Sequence, residues 1–263
     1  MPAKELYAAP RSVTNLDDCF FYHTMDIPGY GQVKGAWDLR GGEREYLGGV
    51  DLKGKRVLEI GTASGFLCFY MESQGAEVVA YDLSEEFAWD IIPYVAYDYQ
   101  EFAQERRTLI RQLNNGYWLC HRAYQSNAKI VYGTVYAIPQ EIGLVDIATF
   151  GSVLLHVRDP FLALYNALRL TRETVIITEP IWYPSWRRRI AERIVGPHMV
   201  FLPDAAKSAP KETWWSFPPE IMQRMIGVLG FGNSTVKYHH QKLEGRQILN
   251  YTIIGQRTHK TGS

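Results

Sequence analysis

Val57-Leu58-Glu59-Ile60-Gly61-Thr62-Ala63-Ser64-Gly65 begins as an apolar run and ends in two glycines four residues apart. The next residues, FLCFYMESQG (66–75), read as a helix, and AEVVAYD (76–82) is apolar again. Residues 52–82 therefore form one strand, glycine loop, helix, strand unit. Gly61 and Gly65 let the backbone approach a ligand closely, and a helix that starts there offers unpaired N–H groups. Asp82 ends the second strand, where a carboxylate accepts the two hydroxyls of a ribose.

The alternation continues outward. Residues from Glu85 to about Ser126 read as helices, because FAQERRTLIRQL spaces its apolar residues three and four apart, and Asn114-Asn115-Gly116 breaks them. AKIVYG (128–133), VDIATFG (145–151) and TVIITEP (174–180) read as strands, with the helix FLALYNALRL between the last two. Strands alternating with helices imply a parallel sheet covered on both faces. From 181 to 217 the alternation lapses into a Trp-, Pro- and Arg-rich stretch, read as an inserted cap. It resumes with a helix from Pro218-Pro219, then STVKYHH and ILNYTIIG, which a short polar loop joins as an antiparallel pair. The first 50 residues show no clear period and read as an irregular arm with one or two short helices, leaving 51–263 as the main domain.

At 263 residues and 46% hydrophobic, the chain can bury a large core. Lys+Arg and Asp+Glu both total 28, so no global positive field draws it to nucleic acid or anionic lipid, and a small-molecule partner is expected. Cys19, Cys68 and Cys120 form neither a disulfide framework nor a zinc pattern, which points to a reducing, cytoplasmic setting. No segment has the roughly 18 uninterrupted apolar residues of a membrane span, and the first residues lack a signal-peptide core. Oligomeric state is left open. Aromatic residues make up 13%, enough both for the core and for a pocket that holds a flat organic molecule.

A dinucleotide-binding G-x-G-x-x-G would need glycines at 63 and 66, where this chain has Ala63 and Phe66. A nicotinamide enzyme is thereby disfavoured, and Glu59 suits a ligand with a cationic amino group instead. E-x-G-x-x-x-G at Glu59, Gly61 and Gly65 resembles the first motif of class I S-adenosylmethionine-dependent methyltransferases, and Asp82-Leu83 resembles their second. VDIATFG followed by SVLLHVRDP looks like their fourth-strand motif, and the resemblance spans residues 50–257. It implies an α/β, Rossmann-like seven-stranded mostly parallel sheet with helices on both faces, an antiparallel last strand, the N-terminal arm and the cap. It also implies S-adenosylmethionine as cofactor. Glu59 would take the methionine part, Gly61, Thr62, Ala63 and Gly65 would wrap it, and Asp82 with Leu83 would bind the ribose. Phe150, Gly151 and Ser152 would floor the site near sulfur. Family members often carry an Asp after the third strand in G-D-x-x-x-L-P; this chain reads Gly133-Thr134-Val135-Tyr136-Ala137-Ile138-Pro139, which leaves adenine to Thr134, Val135 and backbone.

A narrower stretch, residues 152–180, is similar to tRNA wobble-uridine carboxymethyl transferases. Where that branch has a Tyr associated with a carboxylated cofactor this chain has Leu155, which implies the ordinary cofactor. The balanced charge also argues against tRNA.

His156 follows the fourth strand and is the first candidate for a base, although a lone His more often packs or caps. Tyr22 and His23 in the arm are further catalytic candidates. Trp37, Arg40, Glu179, Trp182, Trp214 and Trp215 are candidates for substrate contact, with Tyr183 and Trp186 beside them. The run Arg187, Arg188, Arg189 and Arg193 reads more readily as a solvated face than as an anion site. No metal site is expected. The leading expectation is methyl transfer to an O or N nucleophile of a small aromatic or heterocyclic molecule, against an RNA-modifying enzyme and a non-catalytic S-adenosylmethionine-binding module.

Overall fold

The computed structural model describes residues 5–181 and 194–259. The arm comes first, as the hairpin β1 (Met25–Ile27) and β2 (Gly31–Val33), the short strand β3 (Trp37–Asp38) and the one-turn helix α1 (Glu43–Tyr46). The glycine-loop unit follows as β4 (Arg56–Ile60), α2 (Phe66–Ser73) and β5 (Glu77–Asp82). Next are the long helix α3 (Tyr99–Ala123), β6 (Lys129–Tyr132), β7 (Val145–Gly151), α4 (Pro160–Leu168) and β8 (Thr171–Pro180). The small pair β9 (Val200–Phe201) and β10 (Trp215–Ser216) precedes α5 (Pro219–Val228), β11 (Asn233–Leu243) and β12 (Arg246–Gln256).

The main sheet has eight strands among the described residues, in the order β3-β11-β12-β8-β7-β4-β5-β6. The run from β8 to β6 is parallel and β12, β11 and β3 are antiparallel to their neighbours, which is the Rossmann-like arrangement expected. The count differs from the expected seven because the arm is not wholly irregular: Trp37 and Asp38 pair with Leu243 and Lys242 and extend the sheet. That edge was illegible because two residues carry no period.

Alternation along the central strands sorts their side chains onto two cores. Leu58, Ile60, Ala148, Phe150, Val175 and Ile177 meet α4 and α5 on one face through Ala163, Leu164, Met222 and Ile226. Val57, Ile147 and Ile176 face the other way, toward Leu67 and Met71 of α2, Tyr117 and Leu119 of α3, and Phe21, Met25, Trp37 and Tyr46 of the arm. The arm therefore packs on the same face as α2 and α3.

Helix α3 corrects one expectation. Asn114-Asn115-Gly116 does not end a helix but lies inside a single helix capped by Asp98, whose carboxylate accepts from the N–H groups of Gln100 and Glu101. The Asn114 amide donates to the Leu83 carbonyl and the Asn115 amide to the Asp18 carbonyl. Tertiary partners thus take the side chains that would otherwise compete for the helix backbone. No helix of the described residues is long and apolar enough to cross a membrane.

Candidate active site

The glycine loop turns at the carboxyl end of β4. Gly61 has φ +80° and Gly65 φ +87°, and α2 starts directly after Gly65. A Cβ at Gly61 would lie 2.5 Å from Val153 Cγ2, and one at Gly65 would lie 2.4 Å from the Phe69 ring. Both the backbone conformation and the available space therefore require glycine. Ala63 between them also sits at φ +51°, held by its N–H donating to Asp82 Oδ2 at 2.7 Å. Asp82 Oδ1 accepts from Leu83 N at 2.7 Å. A carboxylate has about four acceptor sites, so two are left for hydroxyls. Burial raises the Asp82 carboxyl to about 6, against the pull of those two N–H groups.

Glu59 is 4% exposed, and its Oε2 is buried without a hydrogen-bond partner. Burial pushes its carboxyl up to about 7, with the charge of Asp82 adding and the Thr62 hydroxyl opposing. Such a group is stabilised by a cation brought to it. A cavity of about 20 Å³, large enough for about one water, joins Glu59, Gly61, Thr62, Phe150 and Gly151 to His23 and Tyr46 of the arm. The glycine cradle, the orphaned carboxyl of Glu59 and the free acceptor sites of Asp82 together fit the groups of S-adenosylmethionine. Thr134 and Val135, just after β6, are half-buried; the Thr134 carbonyl accepts from the Tyr81 hydroxyl and the Val135 carbonyl from the Asn166 amide.

The arm brings three polar aromatic residues to this end of the sheet. His23 stacks on Phe66 and meets the Tyr22 ring edge-on, with ring centroids 5.5 and 5.2 Å away. Burial lowers the His23 imidazole to about 4, so it is neutral near pH 7. The Tyr46 hydroxyl lies 3.2 Å from Ser152 Oγ, where Ser152 takes φ +54°. Burial raises both phenols, Tyr22 and Tyr46, and the charge of Glu179 raises them further. They remain protonated, which makes them poor bases. Nothing in the sequence singled out Tyr46; its only mark was the double-glycine start of EREY.

His156 closes a turn after β7. Its Nδ1 lies 2.6 Å from the carbonyl of Glu212. A carbonyl can only accept, so Nδ1 carries the proton and Nε2 keeps a lone pair. Burial depresses the pKa of His156, with the Glu212 contact pushing back. Glu179, at the end of β8, is 2% exposed and accepts from Leu154 N through Oε1 at 3.0 Å.

The remaining candidates are differently placed. Trp37 is 5% exposed and held in β3, where its backbone bridges His23; it does not itself line the cavity. Arg40 is not available to an acceptor: Nη1 binds Asp26 Oδ2 at 2.9 Å and Nε binds Asp38 Oδ1 at 2.8 Å, which locks the hairpin to β3. Trp214 donates its indole N–H to the Asp90 carbonyl and Trp215 donates to the Arg158 carbonyl, so both brace the His156 turn rather than line the cavity. Trp182, Tyr183, Trp186 and the arginine run at 187–193 lie outside the described residues. Among the described residues no group of three or more His, Cys, Asp or Glu side chains is placed to hold a metal ion.

No curated protein matches this sequence. Among solved structures, the N-terminal domain of EvdMO1, crystallised in the presence of SAH and D-fucose, is similar at 14% identity and TM-score 0.53, over 92% of each chain. The 1,6-didemethyltoxoflavin-N1-methyltransferase of Burkholderia thailandensis is similar at 14% identity and TM-score 0.50, over 83% of this chain and 79% of that one. At such identities the likeness speaks for the fold. The family model described as a methyltransferase domain matches residues 38–219, from β3 through the glycine loop, Asp82 and His156 to the start of α5. The chain belongs to the methyltransferase domain family.

Proposed function

We propose that this methyltransferase moves the methyl group of S-adenosylmethionine to an oxygen or nitrogen nucleophile of a small aromatic or heterocyclic acceptor. The observation that carries the cofactor reading is Glu59: a buried carboxyl with an unpartnered oxygen, at the foot of a glycine loop and on the same cavity as Gly61 and Thr62. When bound, the cofactor supplies an electrophilic methyl on a positive sulfur. Glu59 holds its amino group, Gly61 to Gly65 give its methionine part room against the backbone, Asp82 accepts its ribose hydroxyls, and Thr134 and Val135 flank its adenine. Phe150, Gly151 and Ser152 form the floor.

The arm, residues 1–50, closes the acceptor side through Tyr22, His23 and Tyr46 and keeps water out, which strengthens the electrostatics there. Glu212, in the stretch read as a cap, braces His156 through its carbonyl. A neutral His156 with its Nε2 lone pair takes the acceptor's proton. Positioning supplies much of the remaining rate. The small-acceptor reading is supported by the balance of charge, 28 Lys and Arg against 28 Asp and Glu, which gives no net positive field for an RNA backbone. The free cysteines fit a reducing cytoplasm.

Calorimetric titration with S-adenosylmethionine and S-adenosylhomocysteine, with Asp82→Ala as control, tests the reading. Micromolar binding of both, lost in the variant, is the expected result. Binding of NADH in their place would overturn it.

A further inference from the structure

The carboxyl of Glu179 has no role in holding the cofactor and is built in at a cost. It is 2% exposed at the carboxyl end of β8. Oε1 accepts the Leu154 N–H at 3.0 Å, while Oε2 is buried with no hydrogen-bond partner. No Lys or Arg of the described residues forms an ion pair with it. Arg106, Arg158 and Lys211 have other partners: Arg106 lies 3.0 Å from Glu212, Arg158 sits over the Trp214 ring, and Lys211 sits over the rings of Tyr97 and Phe102. A single buried carboxyl without a cation is a costly feature unless a ligand completes it.

Its surroundings name that ligand's chemistry. Burial pushes the Glu179 carboxyl up to about 8, so near pH 7 it keeps its proton until a base or a cation meets it. Leu154, which it anchors, opens the turn that carries His156. Resting on the function proposed above, we infer that Glu179 recognises a basic nitrogen of the acceptor, so that the substrates are small aromatic amines or amine-bearing heterocycles. An ammonium or amine brings N–H donors to the free oxygen and, when charged, supplies the missing countercharge. An alcohol brings one neutral donor and cannot take the Glu179 proton, and a carboxylate brings a negative charge into a buried place where no cation meets it.

Three probes that share one ring separate these cases: 2-phenylethylamine, 2-phenylethanol and phenylacetate, titrated by calorimetry into the protein saturated with S-adenosylhomocysteine. The amine is expected to bind at least about tenfold more tightly than the alcohol, a difference of about 1.4 kcal/mol, and phenylacetate is expected to bind most weakly. Glu179→Gln keeps an oxygen for the Leu154 N–H, so the turn is retained and thermal unfolding of the variant checks this directly. In it the amine should fall to within about twofold of the alcohol, with affinity for S-adenosylhomocysteine unchanged. Preference for phenylacetate, no amine binding, or an amine preference that survives Glu179→Gln overturns the inference. Failure of the wild-type protein to bind S-adenosylhomocysteine is a different failure: it removes the cofactor reading, and this inference with it.

Discussion

The carboxylate of Asp82 reaches back across the glycine loop and accepts the backbone N–H of Ala63 at 2.7 Å, holding a non-glycine residue at φ +51°. The same side chain that is assigned to the ribose thus also shapes the loop assigned to the methionine part. Asp82→Ala leaves two N–H groups, those of Ala63 and Leu83, without their acceptor, at about 1–3 kcal/mol for each one that stays buried. The expected outcome is lower thermal stability together with at least about a tenfold loss of affinity for S-adenosylhomocysteine. Unchanged binding in a calorimetric titration would show that Asp82 serves only the loop.

Glu59 makes stability depend on pH in a direction that can be worked out. Its folded pKa, about 7, lies above the ordinary value of 4.5 because burial disfavours the charged form. The neutral group's contribution is therefore complete below about pH 4.5 and is lost as pH rises through 7, with a slope of at most about 1.4 kcal/mol for each pH unit crossed. Glu59→Gln stays neutral throughout. Its melting temperature relative to the wild-type protein should rise between about pH 5 and pH 8, while the contributions of groups that do not interact with Glu59 cancel in the difference. A difference that is flat with pH contradicts the buried, unpaired carboxyl.

For His156 the carbonyl of Glu212 dictates the tautomer. Long-range nitrogen–proton NMR spectra are expected to show the Nδ1–H form, and because burial depresses the pKa the neutral ring should persist to lower pH than in a free imidazole. A resonance pattern of the Nε2–H form would remove His156 as a base.

Gly116 sets helix propensity against packing. Replacing a glycine inside a helix by alanine gains about 1 kcal/mol in isolation. Here the new Cβ would lie 2.9 Å from the Phe20 carbonyl oxygen, a backbone atom that cannot rotate away. Packing should win: Gly116→Ala is expected to lower the melting temperature by about 2–4 °C for each kcal/mol lost. A higher melting temperature would show that the arm gives way at no cost.

Much of the parallel sheet was legible because each strand is buried on both faces and reads as a short apolar run, as in RVLEI and VDIATFG. Glu59, Gly61, Gly65 and Asp82 were legible for a related reason: their types at that spacing serve one local turn, and everything needed to specify it lies within 24 consecutive residues. Other features depend on chain segments far apart in sequence. Tyr46 meets Ser152 across 106 positions, Glu179 fixes Leu154 across 25, and Glu212 orients His156 across 56. No local pattern encodes such pairs.

The sequence by itself determined the alternating strand and helix order, the loop that needs two glycines, and the carboxylate at the end of the next strand, because period and backbone strain act over a few residues. Tertiary structure alone decided that Arg40 is an internal clamp, that Asn114-Asn115-Gly116 stays helical, that Trp37 extends the sheet, and that the oxygen of Glu179 is buried without a partner. Those outcomes turn on which distant groups arrive to satisfy a hydrogen bond or a charge, and only packing brings those groups together.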